Sequence, residues 1–119
     1  MRDFKKIKAY QYAENFVIEI YKLTSNFPKS EIYGITSQIR RSALSVPANI
    51  AEGASRQHTK EYLNFLYISR GSIAETECFL RIAIKLGYLN ETTYQTIMDK
   101  QAELSKTLCG LINAVSSNL

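Results

Sequence analysis

The chain of 119 residues has one histidine, two cysteines, two prolines and five glycines, and each scarcity removes a class of chemistry. His58 falls in an expected loop with no second histidine and no close cysteine pair, so no zinc-type constellation can form. Cys78 and Cys109 lie far apart within helical patterns and read as buried free thiols of a reducing compartment. Gly34, Gly53, Gly71, Gly87 and Gly110 are isolated, which excludes a glycine loop cradling phosphates. The Glu-x-x-His pairs of di-iron bundles are missing. Glu75 and Glu77 are two apart and point to different helix faces, so they cannot work as paired carboxylates. Serine, threonine and cysteine nucleophiles have no identifiable base partner. No apolar run reaches the length of about 20 residues that crosses a bilayer. The charged start Met1-Arg2-Asp3-Phe4-Lys5-Lys6 leads into no apolar signal core. The expectation is a cytoplasmic protein that is not an enzyme, with no cofactor, no metal, no small-molecule substrate and no membrane association.

What the sequence does contain is helical periodicity. Hydrophobic residues make up 45% and charged residues 22% of the chain, ordinary for a globular protein, and the length suits a single domain spanning residues 1–119. Ala9, Ala13, Phe16, Ile20, Leu23 and Phe27 form one apolar stripe, widened by Tyr10, Val17 and Tyr21, and predict a first helix from Ile7 to Asn26. Phe27-Pro28 ends it. Ile32, Ile35, Ile39, Ala43, Val46 and Ile50 predict the second, with Ser30 as its N-cap, Gly53 as its stop and a kink near Pro47. Thr59 caps a third helix reaching Leu86, with Tyr62, Leu63, Leu66, Ile73, Leu80, Ala83 and Ile84 turned to the core. Its small-residue centre at Gly71 predicts close backbone packing, because a helical glycine costs about 1 kcal/mol otherwise. Gly87 closes it. Asn90 caps a fourth helix carrying Tyr94, Ile97, Leu104, Leu108, Leu111 and Val115, with Leu89 and Tyr94 spaced as a hydrophobic staple. No β pattern or internal repeat competes. The prediction is all-α: an antiparallel up-down-up-down four-helix bundle.

Two polar features remain after the core is assigned. Gln38, Arg41, Ser45, Asn49 and Glu52 recur at steps of three and four on helix two. This row of hydrogen-bonding groups is hard to explain on a solvated face, where lysine and glutamate would mix. With Arg40, Arg70, Glu75 and Glu77 it predicts contacts between helices and between subunits, Arg40 and Arg41 facing the two glutamates. The net charge is +4, and its cations are clustered. Arg2, Lys5, Lys6 and Lys8 crowd the N-terminus, and Arg56, His58 and Lys60 follow helix two. Such clusters suit phosphate backbones. Eight tyrosines offer amphipathic contact area for interfaces or base stacking.

The run Phe27-Pro28…Glu31-x-Tyr33-Gly34-Ile35-x-x-Gln38-Ile39-Arg40-Arg41-Ser42-Ala43 resembles a family of small four-helix proteins encoded within bacterial 23S ribosomal RNA intervening sequences. So do Ser45-Val46-Pro47-Ala48-Asn49-Ile50-Ala51-Glu52-Gly53, Gly71-Ser72-Ile73-Ala74-Glu75-Thr76-Glu77 and the link Leu86-Gly87-Tyr88-Leu89. The resemblance implies a homopentamer without enzymatic activity, with RNA as the suspected partner. The similar accessory variability protein of diversity-generating retroelements implies an alternative, a protein scaffold or accessory subunit with no direct nucleic-acid role.

Overall fold

The computed structural model describes residues 2–119. Four helices carry the fold: α1 (Lys8–Thr24), α2 (Ile35–Ala54), α3 (Thr59–Lys85) and α4 (Glu91–Ser116). Single 3-10 turns precede α1 (Phe4–Lys6) and α2 (Lys29–Glu31). Among the described residues there is no strand. Each helix packs on two others, α1 on α2 and α4, α3 on α2 and α4, and the backbones of the diagonal pairs stay apart. That square arrangement is a four-helix bundle about 45 Å long. Its core is the set the periodicity selects: Phe16 and Ile20 from α1, Ile39, Val46 and Ile50 from α2, Leu66 and Leu80 from α3, and Leu104 and Leu108 from α4, all buried.

α2 and α3 approach most extensively, and hydroxyl groups stitch them together. The Thr76 hydroxyl donates to Ser42 Oγ at 2.7 Å, Ser72 to Ser45 Oγ at 2.9 Å, and Ser69 to the Val46 carbonyl at 2.9 Å. Rising numbers on α3 pair with falling numbers on α2, so these two helices are antiparallel. α2 runs unbroken through Pro47, which is buried.

Helix ends show where local signals hold and where they mislead. Gly87 adopts φ +80°, Gly87 N–H donates to the Ile84 carbonyl and Tyr88 N–H to the Ala83 carbonyl, which is a Schellman motif. The Asn90 side chain accepts from Thr93 N–H at 2.8 Å, as an N-cap should. The expected Ser30 cap is not formed, because Ser30 lies in the 3-10 turn and Gly34 is the N-cap. Glu31 replaces it: its carboxylate accepts from Ile35 N–H at 3.4 Å and from the Tyr88 hydroxyl at 2.7 Å. A side chain at Gly34 would collide with that carboxylate. Ile32 therefore sits outside α2 and is exposed rather than core. Likewise His58, not Thr59, is the N-cap of α3, and it makes no side-chain capping bond.

Three further expectations are corrected. Cys78 and Cys109 are free but exposed, since both fall on the outward arcs of α3 and α4. Gly71 has open space where a Cβ would stand, so it packs against nothing in the chain. Gly53 is not a stop but a buried helical residue against which α3 closes. A Cβ there would lie 2.8 Å from Phe65 Cβ and 3.2 Å from the Tyr62 carbonyl oxygen. The two glycines thus have opposite sensitivities. Gly53→Ala should lower stability by about 1–3 kcal/mol through overpacking, while Gly71→Ala should raise the isolated chain's stability by up to about 1 kcal/mol. Urea denaturation midpoints of the two variants check the sign of each.

Candidate nucleic-acid interface

The two basic clusters, 50 residues apart in sequence, meet at one end of the bundle. Residues 2–7 fold back so that the Arg2 guanidinium reaches the α2–α3 connection. Its Nη1 donates to the Arg56 carbonyl at 2.9 Å and to the Ala54 carbonyl at 3.5 Å. Ala54 is the last residue of α2 and Arg56 lies just beyond its C-cap, so the guanidinium sits at the negative end of the helix, where a cation is favoured. The guanidinium also lies 4.2 Å from the centre of the Tyr62 ring. The Tyr62 phenol is pushed up by burial, and the Arg2 charge pulls it part of the way back. Arg56 mirrors this arrangement: its guanidinium stands 4.8 Å from the Phe65 ring centre, and Nη2 bonds the Glu52 carboxylate at 2.9 Å. Tyr62 and Phe65 are one turn apart on α3, so one aromatic floor carries both guanidiniums.

The remaining candidates surround this pair. Asp3 accepts from Lys5 N–H at 3.1 Å and caps the first 3-10 turn. The Lys5 carbonyl accepts from the Gln11 amide at 2.9 Å, which fixes the segment against α1. The side chains of Lys5, Lys6 and Lys8 stay exposed, with Lys8 Nζ 5.8 Å from the Tyr12 ring centre. His58 and Lys60 are exposed at the start of α3. No backbone N–H from Gln57 to Glu61 finds an acceptor among the described residues; the first to do so is Tyr62, which donates to the His58 carbonyl. Free amides at a helix start favour anions.

The polar stripe of α2 divides instead of acting as one surface. Ser45 and Asn49 turn to the α3 seam, where Asn49 donates to the Ser45 carbonyl and hydroxyl and Ser45 accepts from Ser72. Gln38 and Arg41 bond each other at 3.2 Å on the exposed face, and Glu52 pairs with Arg56. Neither Arg40 nor Arg41 meets Glu75 or Glu77. Arg40 turns to α1, donating to Thr24 Oγ1 at 2.9 Å and lying 4.6 Å from the Tyr21 ring centre, because its position on α2 faces that helix. Glu77 accepts from the Gln101 amide at 3.1 Å, Arg70 stacks 4.9 Å from Tyr67, and Glu75 is exposed. The hydroxyl ladder was missed from the sequence, although Ser69, Ser72 and Thr76 at steps of three and four are its signature. Arg2 as a fastening residue carried no local signal.

Residues 5–110 match the model of a family described as 23S rRNA-intervening sequence protein. A solved protein of unknown function from the S23 ribosomal protein family of Bacteroides thetaiotaomicron is similar, with a TM-score of 0.78 and 28% identity. The likeness covers 87% of this chain and 97% of that one. No curated protein matches.

Arg2→Gln tests the fastening. With the guanidinium gone, the Tyr62 phenol should titrate still further above the ordinary tyrosine value, read by its ultraviolet absorbance. The Ile7 amide, bonded to the Phe4 carbonyl, should exchange about tenfold faster, the equivalent of one charge-assisted hydrogen bond. An unmoved Tyr62 titration would show that Arg2 does not rest on the ring.

Proposed function

The chain belongs to the 23S rRNA-intervening sequence protein family, and from that premise we propose a non-enzymatic, cytoplasmic, self-associating bundle that holds structured RNA by its backbone phosphates. The observation that carries this reading is the Arg2 bridge, which joins the N-terminal cations to the α2–α3 turn. Residues 2–8 and 52–61 together bring six lysines and arginines against three carboxylates. Lysines free to move suit sequence-independent phosphate contacts, since a point charge on a flexible stem reads no base. DNA offers the same backbone charge, and none of these residues selects against it.

Self-association is supported by an outward row on α3. Ile68, Gly71, Glu75, Cys78 and Ile82 recur at helical spacing, all exposed, with Ile68 50% and Ile82 44% accessible. The open space at Gly71 lets another backbone approach. Five copies is the number the family resemblance implies, and a ring would repeat the modest basic end into a multivalent surface. A scaffold for a protein partner is the second reading, favoured by Tyr33, 95% accessible within the Glu31–Gly34 turn.

Salt separates the two. Phosphate contacts release counterions, so RNA affinity should fall steeply as salt rises, and the Lys5→Glu, Lys6→Glu double variant should lower the log–log slope by roughly two, about one unit per lost contact. That loss should be the same for ribosomal and random RNA. Light scattering should give a mass several times 13.6 kDa. A monomer that binds neither RNA at low salt contradicts the proposal.

A further inference from the structure

Beyond a diffuse basic surface, the same end carries a discrete cleft. It has a volume near 540 Å³ and is lined by Arg2, Ser55, Arg56 and Gln57. That volume is within the range of small-ligand sites and exceeds what a bare ion fills. Two guanidiniums converge on it, each laid on an aromatic ring of α3. Stacking fixes their planes in advance, so little freedom is lost when a ligand docks.

Several donors of the lining residues remain uncommitted. Arg2 commits only Nη1, and Arg56 commits only Nη2. Arg2 Nε and Nη2, Arg56 Nη1 and the Gln57 amide make no hydrogen bond among the described residues, and Arg56 Nε is buried without an acceptor. Ser55 is different: its hydroxyl donates to the Glu52 carbonyl at 2.6 Å and so presents no free proton. The opposing charge is the Glu52 carboxylate, but its pair with Arg56 is half exposed, and such pairs are worth little. An anion offering several oxygens can displace it.

We infer that this cleft binds one terminal phosphate of an RNA strand, a phosphate monoester, while the surrounding lysines hold the internal phosphates. This rests on the RNA reading above and adds to it a specific end of the strand. A monoester carries a charge of about −1.5 to −2 at neutral pH and three acceptor oxygens. An internal diester carries one charge and two free oxygens. Two pre-set guanidinium forks match the former. The 540 Å³ leaves room for the attached ribose, which distinguishes a strand end from inorganic phosphate.

The experiment compares oligoribonucleotides of one sequence and length ending in a 5′-phosphate, a 3′-phosphate or hydroxyls only, by fluorescence anisotropy at fixed salt. One phosphorylated end should bind about tenfold tighter than the hydroxyl-ended strand, the value of one charge-assisted fork. Arg56→Gln should abolish that preference with circular dichroism unchanged, while hydroxyl-ended binding weakens only by the loss of one cation, about one unit of salt slope. Arg56→Lys, which keeps the charge but not the fork, should retain a small part of it. Equal affinity for all three strands overturns the inference and leaves the RNA reading standing. No binding of any strand overturns both. Inorganic phosphate that erases the preference at the concentration where the phosphorylated strand binds also overturns the assignment to a strand end.

Discussion

The closeness of α2 to α3 is the constraint from which the other features of the bundle follow. Ser42, Ser45, Ser69, Ser72 and Thr76 are small enough to let the helices approach, and Gly53 removes the last side chain where α3 begins. Buried hydroxyls are costly when unpaired, and here each is bonded: Ser69, Ser72 and Thr76 donate across the seam, Ser42 donates to its own helix, and Ser45 accepts from Ser72 and Asn49. The ladder therefore fixes the register of two antiparallel helices as well as their spacing. With Gly53 pressed against Tyr62 and Phe65, the α2–α3 turn must be short. Its carbonyls and the two rings then form the seat for Arg2 and Arg56. The basic end is in this sense a product of the seam.

The two ends of α2 illustrate different uses of charge. At its start, Glu31 is consumed internally, its carboxylate shared between the Ile35 amide and the Tyr88 hydroxyl. The phenol is pushed up chiefly by that hydrogen bond, as expected when the neutral form is the one that donates. Phe27 lies against the same tyrosine, ring centres 5.6 Å apart, so the Phe-Pro…Glu-x-Tyr-Gly run closes one end of the bundle. At the other end, Arg2 is held on carbonyls and a ring without a carboxylate, Arg56 meets Glu52 only in a half-exposed pair, and Lys5, Lys6 and Lys60 are exposed. One end is finished within the chain, and the other is left with donors facing outward.

Much of the fold is legible in the sequence because burial follows periodicity. The apolar stripes of all four helices, the Asn90 cap and the Gly87 turn follow from residue type and spacing alone. What is not legible depends on distance between elements. Nothing local distinguishes Gly53, which a neighbouring helix requires, from Gly71, which faces open space. Ser30 has the right chemistry for a cap, but Glu31 can reach the amide only because the chain first makes a 3-10 turn. Arg40 could face α1 or α3 by periodicity, and the packing angle places it on Tyr21. At the site, both basic clusters were legible, whereas their meeting was not, since a guanidinium at position 2 reaches carbonyls more than 50 residues on.

The central claim is that nucleic acid is held at the end where Arg2 fastens the N-terminus to the α2–α3 turn. Amide chemical-shift mapping of the full chain with a structured RNA at low salt tests it most directly. The account predicts perturbations concentrated in residues 2–8 and 55–62, with the outer face of α3 and the Glu31–Tyr88 end unmoved. Shifts centred on Tyr33, Ile68 or Ile82 instead, with residues 2–8 and 55–62 silent, would contradict it.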